Sequence, residues 1–259
     1  MNNLFSNVDA WIIATVLGLL MCGGWWLGRW RTRRADLVKD AEATDQLTNA
    51  SVALLGLLLA FTFSMSLERH EHRRQMVVEH SNTIGDFATC ASLLREPVRD
   101  QLRGVVRKYV EHLLTIPRPD FTEVVLQDEL SENERLHNEM QSLVKVAVDD
   151  GTPVVVPLVN TLNALTSSHE ARLAAVRNGL PSSIVVLLCL SAIVPMIQIG
   201  MQHGRTDGSL NERELVTGLG FVILVCLCVW VTLDLNQPQR GTITISQEPL
   251  QRLLTTLNE

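Results

Sequence analysis

The stretch Ser51-Val52-Ala53-Leu54-Leu55-Gly56-Leu57-Leu58-Leu59-Ala60-Phe61-Thr62-Phe63-Ser64-Met65-Ser66-Leu67 contains no Asp, Glu, Lys or Arg. Extended back to residue 46, it is long enough for a helix to cross a hydrocarbon core of roughly 30 Å. Three more windows, 10–28, 178–204 and 215–233, are equally free of these residues. With 259 residues, 46% hydrophobic and 19% charged, length alone would allow one or two soluble domains. The segregation of charge excludes that class and predicts an all-α integral membrane protein with four transmembrane helices.

Outward from the second span, the chain divides into four regions. Residues 1–67 form an N-terminal transmembrane hairpin with spans at about 10–28 and 46–67, and 178–233 form a second one with spans at about 178–202 and 215–233. Between them, residues 68–177 read as a helical extramembrane domain. Leu102, Val105, Val106, Tyr109 and Leu113 recur at helical spacing, as do Leu136, Met140, Leu143 and Val144, and then Leu158, Leu162 and Leu165. Pro97 marks a helix start, Pro117 and Pro119 end the next helix, and 151–157 breaks the pattern again. The second span is expected to continue as a helix through Glu68 to Glu79, and Ala171 to Leu180 to lead without a break into the third span. In the tail, 234–259, the period-two run Gly241-Thr242-Ile243-Thr244-Ile245-Ser246 predicts a short β-like strand. An amphipathic helix with Leu250, Leu253, Leu254 and Leu257 on one face should follow, starting at a cap-like Ser246.

The formal charge of −6 is mild and the arginines sit beside membrane segments, so no nucleic-acid partner is expected. Cys22, Cys189, Cys226 and Cys228 lie in apolar windows and Cys90 stands alone, which implies no disulfide framework. Met1 to Asp9 carries no basic residue, so the first helix reads as retained and not as a secretory signal. Trp25, Trp26 and Trp30, followed by Arg31, Arg33 and Arg34, form an aromatic belt and a basic flank. Lys and Arg near the membrane ends balance overall: Arg29, Arg31, Arg33, Arg34, Lys39, Arg205 and Arg213 oppose Arg69, Arg73, Arg74, Arg172, Arg177, Arg240 and Arg252. The bias around the first helix favours an N-terminus, and with it the 68–177 domain, outside the cytoplasm.

The spans lack charged residues, and His203 at an edge is their one histidine, so no proton relay, haem site or other cofactor is expected. No nucleophile elbow, metalloprotease motif or phosphate loop is present, and an enzyme is not expected. His112, His137 and His169 read as surface or helix-packing residues. Two faces of the second span are candidates for function. Gly56, Ala60 and Ser64 recur every four residues and suit close helix packing. Ala53, Leu57 and Phe61 form an adjacent stripe that, repeated around an axis, makes rings able to gate a pore by dewetting. Beyond it, Arg69, Arg73 and Arg74 are candidates for an electropositive pore mouth. Glu68 and His72, at i and i+4, are a weak metal pair with a solvated face as the plainer reading.

From Leu57 through Glu68-Arg69 to Arg73-Arg74, the chain resembles a bacterial membrane family called bestrophin-like, whose function is unknown. The likeness continues at Val77-Val78-Glu79-His80-Ser81-Asn82-Thr83-Ile84-Gly85 and Leu93-Leu94-Arg95-Glu96-Pro97-Val98-Arg99. It resumes at Leu233-Asp234, Pro238, Gly241, Ile243, Ser246, Pro249 and Leu250. More distantly, the second span is similar to that of bestrophins, with Ala60-Phe61 and Glu68-Arg69 in the places of their Gly-Phe and Asp-Arg. That resemblance implies a pentameric, anion-conducting channel with four membrane segments per subunit, a neck at Ala53, Leu57 and Phe61, and termini in the cytosol. Ala53 is smaller than the bestrophin pattern, and the charge around the first helix favours the opposite orientation. The expected function is an oligomeric channel in the bacterial inner membrane, conducting inorganic anions such as chloride through a pore lined by the second span. The alternative is a non-conducting, membrane-anchored interaction or sensory module whose helical domain binds a partner or ligand.

Overall fold

The computed structural model describes residues 8–35, 41–115, 123–204, 212–237 and 241–258. Lys39, Pro117, Pro119, Arg205, Pro238 and Arg240, used above for boundaries and charge counting, lie outside them. Eight helices are described: α1 Ala10–Ala35, α2 Ala41–Ser92, α3 Val98–Thr115, α4 Glu123–Asp149, α5 Val155–Arg177, α6 Ser182–Gly204, α7 Glu212–Asn236 and α8 Glu248–Asn258. Four of them, α1, α2, α6 and α7, are long and apolar enough to cross a membrane. The chain separates into two compact units, 1–69 with 179–243, and 70–178 with 244–259.

The first unit is a bundle of α1, α6, α7 and the first part of α2. Leu17 and Met21 of α1, Leu55 of α2, Leu188, Ala192 and Met196 of α6, and Val225 and Val229 of α7 fill its core. Its tightest feature is the crossing of α1 and α6. A Cβ at Gly28 would overlap the Ile197 carbonyl, and one at Gly200 would overlap the backbone of Trp25. Two backbones in such contact gain dispersion where lipid supplies no hydrophobic drive.

Hydrogen bonds fix both rims of this bundle. At one rim, Gln237 accepts from the Ala10 N–H (3.3 Å) and donates to the Val8 carbonyl (2.7 Å). There too the Leu180 N–H donates to Asn236 Oδ1 (2.9 Å), and Arg69 donates to the Gly179 carbonyl. At the opposite rim, Arg29 donates to the His203 carbonyl (3.0 Å) and lies 3.7 Å from Glu214, while Trp25 Nε1 donates to His203 Nδ1 (3.1 Å). The start of α1, the end of α7 and the points where the chain leaves and re-enters the bundle therefore share one rim. Trp26 and Trp30 stack with centroids 6.3 Å apart, and Arg34 lies over the Trp30 ring. Both tryptophans are exposed, as interfacial anchors are.

The second unit packs the later part of α2 with α3, α4, α5 and α8. Ile84, Phe87, Leu102, Val106, Met140, Leu158, Leu165 and Leu250 are all buried in one core. A side chain as completely buried as Phe87 contributes about 1.5–3 kcal/mol. The apolar positions predicted on α3, α4 and α5 face this core, and α2 runs unbroken past Glu79, as expected. At 52 residues α2 is about 78 Å long, so only its apolar first part is matched to a bilayer.

Two expectations need correction. No strand forms among the described residues of the tail. Instead of a ladder partner, the Thr242 and Ile243 N–H groups find the buried Asp234 carboxylate, at 2.9 and 3.0 Å, and the Thr242 hydroxyl donates to it at 2.8 Å. A lone alternating run has no second strand to pair with, and the Asp satisfies its donors locally. The helix expected next does form: Ser246 Oγ accepts from the Glu248 N–H (3.2 Å), and α8 packs on the 70–178 core. The other correction concerns the entry to the third span, where the helix breaks between Arg177 and Ser182. Pro181 disfavours helical geometry at the residue before it and lacks an N–H to continue the ladder.

Leucine at Gly28 or Gly200 should lower the stability of the membrane unit by about 3 kcal/mol or more, because the added atoms meet backbone that cannot turn aside. Gly56→Leu, where nothing lies within 4 Å, should change the stability of the detergent-dispersed chain by less than about 0.5 kcal/mol. Tryptophan fluorescence during unfolding in mixed micelles measures both, since all five tryptophans belong to this unit. Equal losses would contradict the assignment of the α1–α6 contact.

Candidate functional site

On the apolar part of α2, Thr48, Leu55, Thr62 and Ser66 are buried, at spacings that keep them on one line of the helix. Leu55 enters the bundle core, and the Thr62 hydroxyl satisfies itself on the Leu58 carbonyl (2.8 Å). Gln202 of α6 donates to Asp45 (2.9 Å) and Thr48 (3.1 Å), pinning the start of α2. Everything opposite this line is bare. Leu57 is 52% and Phe61 63% exposed, and Ala53, Gly56, Ala60 and Ser64 are exposed as well. The stripe Ala53, Leu57, Phe61, predicted as a gate, and the stripe Gly56, Ala60, Ser64, predicted for helix packing, thus lie side by side on the face that α2 turns away from its own chain. Only 17% of the apolar window of α2 is buried, against 33% for α1 and α6. Within the chain, the close helix contact falls at Gly28 and Gly200 and leaves Gly56 open.

The candidate mouth residues have different surroundings. Arg69 is engaged with the Gly179 carbonyl, Arg73 is buried, and Arg74 is exposed and 3.4 Å from Glu71. Glu68 and His72 are both exposed, and no cluster of three metal-ligating side chains occurs among the described residues.

The second unit holds a polar centre that the sequence reading did not assemble. His80 of α2 is completely buried; its Nδ1 is 2.8 Å from Ser168 Oγ and its Nε2 2.9 Å from Tyr109 OH. Tyr109 OH is also 3.0 Å from His169 Nδ1, and Thr83 Oγ1 lies 2.7 Å from Ser168 Oγ. The His137 ring packs against both Tyr109 and His169, with centroids 5.4 Å away in each case. With the Ser168 hydroxyl donating to the Leu165 carbonyl (2.9 Å), the proton count closes in one direction. His169 Nδ1–H donates to Tyr109, Tyr109 O–H to His80 Nε2, and His80 Nδ1–H to Ser168.

Every ring is neutral in that arrangement, and the surroundings enforce it. Burial, reinforced by Arg172, His169 and His137, pushes His80 down to about 2. Burial, then His137 and Arg172, pushes His169 down to about 4. His137 is lowered by burial, against opposing effects of its bond to the Asn133 backbone and of Glu170. Burial raises the Tyr109 hydroxyl, so it stays protonated. His169 is buried and His137 half-buried against Tyr109 and His169, so both take the helix-packing role, one of the two expected of them. The signal was available in the sequence. His80 falls on the inward line Val77, His80, Ile84, Phe87, Ala91, and His169 and Arg172 continue the run Leu158, Leu162, Leu165. What hid the centre is that four separate segments supply it.

A family model described as the bestrophin-like domain matches residues 11–250 of the chain. No curated protein and no solved structure matches it.

Tyr109→Phe should destabilise the second unit by about 1–3 kcal/mol, because two buried imidazole nitrogens lose their shared partner while the ring volume is kept. Hydrogen exchange of α3 amides at neutral pH measures this. An unchanged exchange rate would remove Tyr109 from the centre of the network.

Proposed function

The chain belongs to the bestrophin-like family, and from that premise we propose that it is an oligomeric, multi-pass channel of the bacterial inner membrane that conducts inorganic anions such as chloride. The observation that carries this reading is the bare face of α2. Small residues and bulky apolar residues stand next to each other on it, both turned away from the chain's own core. Small side chains let a neighbouring subunit's helix come close. The adjacent Leu57 and Phe61 then meet their counterparts around an axis as apolar rings, which hold water out until they widen. Ala53 adds a wider ring one turn away. Five copies, as in the bestrophins the chain resembles, is the assembly expected. The chain acts by permeation and not by catalysis. Bilayer lipid and its own copies are its partners, and no metal or other cofactor takes part.

Purified protein reconstituted into liposomes tests this. The wild type should pass chloride above the level of empty liposomes, and Leu57→Ala/Phe61→Ala should raise the flux severalfold, because a wider and less apolar ring wets more readily. Assembled protein that passes no anion under several ionic conditions would overturn the channel. It would favour the interaction or sensory module built on the helical unit.

Single cysteines at Leu57 or Phe61 should form same-residue disulfides between subunits on oxidation, whereas cysteine at the buried Leu55 should not. Absence of links at all three positions would place this face of α2 against lipid.

A further inference from the structure

The polar centre of the second unit joins helices that are distant in sequence. His80 and Thr83 come from α2, Tyr109 from α3, His137 from α4, and Ser168, His169 and Arg172 from α5. Among the described residues, Glu170 is the one carboxylate whose field is felt there, acting on His137 from an exposed position. Every other charge that bears on His80 and His169, actual or potential, is positive: Arg172, and the other imidazoles once protonated. His137 Nε2 is buried with no hydrogen-bond partner, and its ring packs on Tyr109 and His169. An apolar residue at each position would fill the same space without the acid sensitivity that imidazoles carry.

We propose that this centre is an acid-released lock, which holds α2, α3 and α5 together while its imidazoles are neutral and lets the helical unit open by taking up protons on His80 and His169. The closed arrangement uses both ring nitrogens of His80, one as donor to Ser168 and one as acceptor from Tyr109. A second proton on that ring turns Nε2 from acceptor to donor, so that the Tyr109 hydroxyl can no longer donate to it, and adds a charge beside Arg172.

The direction with pH follows from linkage. Both rings bind protons more weakly in the closed unit than at their free value of 6.5. Below that value the open form binds more protons, so the contribution of the two rings to closure is fully present above pH 6.5 and falls progressively below it, towards about 4 for His169 and about 2 for His80. Between pH 7 and pH 5 each ring shifts the opening equilibrium about 25-fold, and the two together about 600-fold. Carboxylates with ordinary values near 4 contribute little over this interval.

The test is hydrogen exchange on the full chain in lipid nanodiscs at pH 7 and pH 5, corrected for the intrinsic exchange rate. It follows amides of α2 around His80, of α3 around Tyr109 and of α5 around His169. Protection should fall by several hundredfold in the wild type. A fall of about 25-fold or less, the effect of a single ring, would overturn the lock. His169→Asn keeps a donor near the position of Nδ1 and removes one titrating group, so at equal protection at pH 7 its fall should be about 25-fold smaller. The same fall as wild type in that variant would also overturn the proposal. Should His169→Asn not fold, the wild-type profile alone decides.

Discussion

Lipid gives transmembrane helices no hydrophobic reason to associate, so the membrane unit is organised by whichever pair can bring its backbones into contact. That pair is α1 and α6, meeting where Gly28 faces the Ile197 carbonyl and Gly200 faces the Trp25 backbone. Once these two helices are locked, the rims follow: Arg29 reaches the end of α6 and Glu214 at the start of α7, while Gln237 ties the end of α7 back to the start of α1. The helix left with least to bury is α2. It buries the line Thr48, Leu55, Thr62, Ser66, packs Leu58 and Leu59 partly against the bundle, and leaves the face with Ala53, Leu57 and Phe61 uncovered.

That division bears on function. A helix that satisfied its small-residue stripe inside its own chain would have nothing left for a neighbour. Because α1 and α6 use their own glycines, the stripe on α2 remains available, with Leu57 and Phe61 beside it. In this member of the bestrophin-like family the second span therefore keeps an open apolar face, the feature on which the proposed assembly rests.

The helical unit obeys a different constraint. Its core is built by burial of apolar side chains, among them Phe87, Leu102, Met140 and Leu165. At its centre it nevertheless keeps His80, Tyr109, Ser168 and His169 in one connected set of hydrogen bonds. A network of this kind is tolerable in a low-dielectric interior only when each member is satisfied and uncharged, and that condition depends on the protonation of the rings.

The four spans, the helical character of residues 68–177, the amphipathic α8 with its Ser246 cap and the family were all legible in the sequence. Each rests on local information: absence of charge over a window, spacing of apolar residues, or a run of residue types. The tail strand failed because an alternating run specifies a strand only if a partner exists, and here Asp234 took its donors. The glycines of α1 and α6 were visible as residues, but not their role, since which small stripe is used inside a chain depends on which helices become neighbours. The same holds for the histidines. His80, His137 and His169 each look like isolated polar residues on amphipathic helices, and they become a site only when α2, α4 and α5 are brought around Tyr109. Sequence by itself determined which segments are helical and which of them suit lipid, because both follow from local composition and period. Tertiary structure decided which faces meet, because contact between segments distant along the chain depends on how all of them pack at once.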